Sequence, residues 1–118
     1  MLIGAVNKDR LILTEELSSV GNLYISTDDG TSGEKGFVSQ HSVLCRDWKH
    51  ILCCGPLPMM KGIAAIAKER GIDCQVSLEN VMACGLGACL CCVEDTADKG
   101  NVCVCKEGPV FNINRLKW

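Results

Sequence analysis

Apolar residues along positions 1–78 alternate between short runs and longer segments with helical spacing. The short runs are rich in aliphatic and β-branched residues, which predicts strands at 2–6, 22–27, 48–54 and 74–78. The longer segments repeat apolar residues every three or four positions, which predicts helices at 11–19, 36–46 and 58–70. A regular alternation of strand and helix predicts an α/β fold with a parallel sheet and flanking helices.

The clearest helix is 58–70. It has a broad apolar face that includes Ile63 and Ala67, a proline at its start and Gly71 directly after it. From residue 79 glycine and cysteine dominate, and a small hairpin is expected around the polar turn 95–101. We therefore divide the chain into an α/β part, 1–78, and a cysteine-rich part, 79–118.

Composition excludes several classes of function. The 118 residues carry a net charge of −2 and few aromatic residues, so we expect neither nucleic-acid binding nor attraction to an anionic membrane. No apolar run reaches the length of a membrane span. The N-terminus lacks the basic region of a signal peptide, so we expect a cytoplasmic protein whose ten cysteines are reduced.

The cysteines carry the strongest chemical signal. Cys84, Cys89 and Cys92 form a C-x4-C-x2-C motif, the plant-type spacing for a [2Fe–2S] cluster. Glycines 85 and 87 give the loop backbone angles that other residues resist, so three thiolates can face one small cluster. By distance alone the fourth ligand is either Cys103 or Cys105. A zinc site is the main alternative, although zinc usually takes two separated pairs of cysteines.

The α/β part lacks the glycine-rich turn with which a dinucleotide-binding domain begins. Gly30 and Gly33 are the only candidates, and the next predicted helix starts several residues later. The chain is therefore expected to be a fragment or to be completed by a partner. Cys54, Gly55 and Pro56 follow a predicted parallel strand, at the edge of the sheet where ligands collect.

Six strings occur together in one order along essentially the whole chain. They are Tyr24-Ile-Ser-Thr-Asp-Asp-Gly, Lys35-Gly-Phe-Val, Cys54-Gly-Pro-Leu-Pro-Met-Met-Lys, Val76-Ser-Leu-Glu, Met82-Ala-Cys-Gly-Leu-Gly-Ala-Cys and Cys105-Lys-Glu-Gly-Pro-Val-Phe. This set resembles the C-terminal part of the electron-transfer subunit of NAD-dependent dihydroorotate dehydrogenase. Related subunits of ferredoxin:NADP oxidoreductases, sulfide dehydrogenases and some hydrogenases share the layout.

The resemblance implies a partial ferredoxin-reductase-like sheet followed by a [2Fe–2S] subdomain. In that family an FAD-binding barrel comes first, so FAD is expected only in a missing N-terminal domain or a partner. The family's last cysteine precedes a Lys-acidic-Gly-Pro string, which implies Cys105 as the fourth ligand. The family usually has glycine at the position of Cys91, which implies that Cys91 is a bystander. The family also implies a partial NAD(H) site, with Cys54 towards the nicotinamide and Thr27 and Asp28 near the adenosine ribose.

The resulting hypothesis is an electron-transfer module for pyrimidine biosynthesis. Electrons would pass between NAD(H), a flavin held elsewhere and a catalytic oxidoreductase subunit through the cluster. Whether the chain counts as an enzyme is open, since we expect no activity from it alone. The alternative is a non-enzymatic ferredoxin-like or zinc-binding docking subunit that does not bind NAD.

Overall fold

The computed structural model describes residues 1–118, which divide into two compact units, Met1–Asp47 and Trp48–Trp118. The first unit holds a three-stranded parallel sheet in the order β1–β2–β3, formed by Leu2–Ala5, Tyr24–Thr27 and Glu34–Lys35. One helix, α1 (Thr14–Val20), connects β1 to β2. The predicted parallel pairing of the first two strands is therefore confirmed, and β3 is an addition that its two polar residues did not reveal.

The predicted helix at 36–46 is wrong. Two 3₁₀ turns, Val38–Gln40 and Ser42–Cys45, occupy this segment instead. They are separated by the extended backbone of His41, whose buried ring accepts a hydrogen bond from the Val43 N–H at 3.0 Å. The Glu34 carboxylate accepts the Ser42 N–H at 2.8 Å. These side chains satisfy backbone groups that a continuous helix would have paired internally.

The second unit is built on a mixed sheet in the order β4–β5–β8, formed by His50–Cys54, Asp73–Ser77 and Val110–Asn112. Strands β4 and β5 are parallel, and β8 runs antiparallel to β5 with Val76 opposite Phe111. The predicted parallel strands are thus present, but they belong to two sheets, one in each unit.

Helix α2 (Leu57–Arg70) connects β4 to β5 and closes the core of this unit. Its buried face consists of Met60, Ile63, Ala64 and Ala67. It ends at Gly71, which adopts a left-handed conformation with φ +65° and donates its N–H to the last turn. Glycine is favoured there because it has no Cβ to clash in that conformation.

The cysteine-rich segment leaves the sheet after β5 and returns to it at β8. Between them lie the hairpin β6–β7 (Val93–Thr96 and Gly100–Cys103) and the short helix α3 (Val104–Glu107). The Leu78 N–H donates to the Pro109 carbonyl at 2.9 Å, so the two ends of the segment meet. Both ends are anchored by core residues, since Leu78 and Phe111 are each 1% exposed. None of the helices has the length and hydropathy required to cross a bilayer.

Candidate iron–sulfur centre

The loop that carries the C-x4-C-x2-C motif lies between β5 and β6. Gly85 and Gly87 have φ of +67° and +79°, as the motif predicts, and Leu90 shares this left-handed conformation with φ +58°. Leu86 and Leu90 are 74% and 63% exposed, so the loop is not held by apolar packing of these side chains. Hydrogen bonds in which a cysteine sulfur takes part provide its internal contacts.

The sulfur of Cys84 accepts two hydrogen bonds from the backbone of the loop. It accepts the N–H of Leu86 at 3.3 Å and that of Cys89 at 3.5 Å. Donors directed at a thiol favour its charged form. The N–H of Cys89, followed by that of Leu86, therefore lowers the pKa of Cys84 to about 6.

Cys92 is tied to the start of α3. The Val104 N–H donates to the Cys92 carbonyl at 3.0 Å, and the Cys105 N–H donates to the Cys92 sulfur at 3.4 Å. The Cys105 N–H lowers the pKa of Cys92, whereas the side-chain hydrogen bond to Cys92 raises the pKa of Cys105. Two of the predicted ligands, Cys92 and Cys105, are thus in direct contact although thirteen positions separate them.

Cys103, the other candidate for the fourth ligand, also reaches the loop. Its thiol donates to the Gly87 carbonyl at 3.7 Å. Its pKa is raised by desolvation first and then by the neighbouring sulfurs of Cys92, Cys84 and Cys89. The exposed Cys91 thiol points back to its own loop, where it donates to the Cys89 carbonyl at 3.8 Å.

The donor chemistry of this region fits an iron–sulfur cluster. All ten cysteines are free thiols, and backbone N–H groups favour the thiolate form of Cys84 and Cys92. Thiolates that accept backbone N–H bonds are the usual ligands and environment of such clusters. No group of three or more His, Cys, Asp or Glu side chains is arranged closely enough here to hold a metal ion. Backbone N–H groups instead link Cys89 to the sulfur of Cys84 and Cys105 to the sulfur of Cys92.

The residues predicted on the nicotinamide side lie at the carboxyl end of β4. Cys54 is exposed, and its thiol donates to the Glu79 carboxylate at 3.6 Å. Gly55 has φ +148°, and a Cβ on it would lie 2.5 Å from the end of Met59. Gly55 and Pro56 line a cavity of about 570 Å³ together with Leu57, Met60, Glu79, Asn80, Val81 and Glu94.

Sequence reasoning missed the polar wall of this cavity. The Glu94 carboxylate accepts hydrogen bonds from the Asn80 amide at 3.2 Å and from the Trp118 indole at 3.3 Å. Glu79 follows β5 just as Cys54 ends β4, and these two strands are parallel neighbours. The position of Glu79 directly after a predicted parallel strand was the signal that would have found it.

The residues predicted near the ribose lie in the first unit, at the end of β2. Thr27 is fully buried, and its hydroxyl donates to the Ser32 carbonyl at 2.7 Å and accepts the Ser32 N–H at 3.0 Å. Asp28 is exposed, and its backbone N–H donates to the Ala5 carbonyl at 3.1 Å. Thr27 therefore fixes the loop 28–33, and Asp28 is the member of the pair whose side chain faces solvent.

Known proteins are similar to this chain over its cysteine-rich part and over most of its length. The family model described as the iron–sulfur cluster binding domain of dihydroorotate dehydrogenase B matches residues 79–117. The chain is 42% identical over 121 residues to a probable dihydroorotate dehydrogenase B (NAD(+)) electron transfer subunit from Methanocaldococcus jannaschii, covering 99% of this chain and 46% of that protein. The corresponding subunit from Clostridium perfringens is 42% identical over 106 residues, which cover 89% of this chain and 42% of the relative.

A solved structure extends the similarity to the fold. It is described as an NADH-dependent reduced ferredoxin-NADP oxidoreductase studied for flavin-based electron bifurcation. It superposes with a TM-score of 0.80 at 32% identity, over 99% of this chain and 43% of that one. The present chain thus spans about half the length of the proteins it matches.

These similarities identify the domain at the C-terminal end of the chain and the proteins to which the chain corresponds. Residues 79–117 form an iron–sulfur cluster binding domain, attached here to part of a ferredoxin-reductase-like α/β fold. That domain belongs to the family of iron–sulfur cluster binding domains of dihydroorotate dehydrogenase B, and the chain as a whole is similar to a part of the electron-transfer subunits it matches.

Proposed function

We propose that this chain is the cluster-bearing part of an electron-transfer subunit, and that it holds one [2Fe–2S] cluster through Cys84, Cys89, Cys92 and Cys105. The observation that carries the proposal is the junction between Cys92 and the N–H of Cys105, 3.4 Å apart, which joins the motif to the distant cysteine. Bound there, the cluster would carry single electrons. The protein would supply the four thiolates and the N–H donors that set the potential.

The remaining parts of the hypothesis concern the complete assembly. A flavin held by a missing domain or a partner would exchange hydride with NAD(H), and a catalytic oxidoreductase subunit would exchange electrons with the cluster. Cys54, Gly55 and Pro56 would lie on the nicotinamide side, and Thr27 and Asp28 near the ribose. The relatives named as NAD(+)-type electron transfer subunits support this assignment, as does the NADH-dependent structural neighbour. We place this chemistry in the cytoplasm and assign residues 1–78 and 79–118 to the NAD and cluster parts.

The exposed Asp28 favours NAD(H) over NADP(H) in this proposal. A carboxylate accepts hydrogen bonds from ribose hydroxyls and repels a 2′-phosphate. Replacing Asp28 with arginine in the complete assembly should shift the preference towards NADPH. An unchanged preference would show that Asp28 is only part of the turn.

Anaerobic reconstitution with iron and sulfide tests the central proposal. A [2Fe–2S] cluster requires iron and acid-labile sulfide in equal amounts, visible charge-transfer bands and an EPR signal after one-electron reduction. A colourless protein with stoichiometric zinc would instead support the zinc-binding docking subunit. Titration with NADH then tests the nicotinamide site separately from the cluster.

A further inference from the structure

Cys103 is not among the four proposed ligands, yet it lies in contact with the loop that carries three of them. It is the last residue of β7, where it pairs with Val93, the residue directly after Cys92. Its thiol contacts the carbonyl of Gly87, which lies between Cys84 and Cys89 in the motif. A Cβ added at Gly87 would lie 3.8 Å from the Cys103 sulfur, so the two segments are in contact there.

Cys103 and Cys105 are held by one anchor. They flank Val104, which is fully buried and donates its N–H to the Cys92 carbonyl at 3.0 Å. The anchor fixes both neighbours beside the loop: Cys105 reaches the sulfur of Cys92, and Cys103 reaches the middle of the loop.

We infer that Cys103 is a reserve ligand of the cluster, able to supply the fourth thiolate in place of Cys105. The site therefore has five usable thiols and two possible ligand sets, which share Cys84, Cys89 and Cys92. When Cys103 takes the fourth position, its thiol loses its proton to solvent and its sulfur bonds to iron, while the bond between iron and Cys105 breaks and the released Cys105 thiolate takes up a proton. The inference rests on the proposed cluster ligation and adds to it a residue that the family's cysteine pattern does not require.

The test compares alanine variants after anaerobic reconstitution, because alanine has no oxygen that could bind iron as serine can. Cys105→Ala should retain iron and sulfide within about twofold of wild type, since four thiolates remain. The double variant Cys103→Ala/Cys105→Ala should bind at least roughly tenfold less iron, because only three remain. Cys91→Ala/Cys105→Ala is the matched control and should behave like Cys105→Ala. The EPR spectrum of reduced Cys105→Ala should remain that of an all-thiolate cluster, with shifted g values.

Each outcome bears on the inference. Loss of the cluster from Cys105→Ala to the level of the double variant would overturn it, and so would full retention by the double variant. Circular dichroism of each cluster-free chain identifies any variant that fails to fold. If Cys105→Ala fails to fold, Cys105→Ser replaces it, and an EPR spectrum of mixed oxygen and sulfur ligation would then overturn the inference. Failure of the wild-type chain to hold iron and sulfide would refute the proposed function itself, which is a distinguishable result.

Discussion

The loops 28–33 and 84–92 both turn on glycines with positive φ, yet different interactions hold them. In the first, Thr27 bonds both backbone groups of Ser32, and the Asp29 carboxylate accepts the Thr31 N–H at 2.9 Å. Gly33 packs so closely that a Cβ would lie 2.0 Å from the Ile25 carbonyl oxygen. Hydrogen bonds between oxygen and nitrogen atoms of the protein therefore hold the loop 28–33.

The loop 84–92 has no comparable set of contacts. Its backbone N–H groups donate to sulfur at 3.3 to 3.5 Å, the Cys91 thiol donates to a carbonyl at 3.8 Å, and the loop contains no charged residue. A Cβ on Gly85 would meet no atom within 4 Å. The first loop is therefore formed by folding alone, whereas the second is expected to gain most of its order from what its sulfurs bind.

Among the changes that distinguish the two loops, removing one cysteine sulfur should have the largest effect. Cys89 is exposed, so Cys89→Ala leaves no buried cavity. We expect iron and sulfide content after reconstitution to fall at least roughly tenfold, because Cys89 belongs to both ligand sets and Cys103 can replace only Cys105. Hydrogen exchange should then show that the loop 84–92 stays unprotected, while the loop 28–33 is unchanged. Cys45→Ala, another exposed cysteine, is the control and should load normally. Full cluster content in Cys89→Ala would contradict the ligand assignment.

Matched glycine substitutions should separate the two loops next. Both Gly33 and Gly85 have φ near +67°, so alanine is strained at either site. Only Gly33 adds a clash with backbone, so Gly33→Ala should destabilise the protein by roughly 3 kcal/mol or more. Gly85→Ala should cost only about 1 kcal/mol, the strain of the left-handed conformation. Urea unfolding of the cluster-free chain measures both values. Equal losses would show that the tight packing of Gly33 contributes nothing.

The contrast also explains which parts of the molecule the sequence could predict. Helix α2 and strands β4 and β5 follow from local pattern, since apolar spacing, the proline near the start and Gly71 agree with one another. The segment 36–46 has helical spacing too, but hydrogen bonds that the His41 and Glu34 side chains accept from its backbone break it into two turns. These are tertiary or side-chain contacts, and the spacing of apolar residues carries no information about them.

The candidate site shows the same limit. The C-x4-C-x2-C spacing indicated a cluster because spacing and chemistry are both local there. The choice between Cys103 and Cys105 could not be made from spacing, since both flank a buried valine whose contact with Cys92 exists only in the folded chain. The Glu79 carboxylate meets the Cys54 thiol for the same reason, through the pairing of β4 with β5 rather than proximity in sequence.

A smaller effect, this time a gain of stability, should follow from relieving backbone strain in the loop 84–92. Leu90 has φ +58° and is 63% exposed, so its side chain has little packing to lose. Leu90→Gly should stabilise the cluster-free chain by about 0.5–1 kcal/mol, since the left-handed strain exceeds the added entropy of glycine. Leu86→Gly is the control, because Leu86 has no positive φ and glycine there should destabilise. A loss of stability in Leu90→Gly would indicate that Leu90 packs usefully in solution.

The smallest effect should come from acid, and it should fall on the loop 28–33. Hydrogen bonds from the Thr31 hydroxyl and N–H hold the pKa of Asp29 below its ordinary value of 3.8. Folding therefore favours the charged carboxylate, so its contribution is complete above pH 3.8 and is lost as the pH falls through the lower folded-state value. Asp29→Asn keeps an oxygen to accept the Thr31 N–H but does not titrate. Between pH 5 and 3 the urea midpoint of wild type should fall slightly further than that of the variant, the difference being small because Asp29 is exposed. Parallel decreases in the two proteins would mean that this carboxylate adds no pH-dependent stability, and that Thr27 and Gly33 suffice to hold the loop.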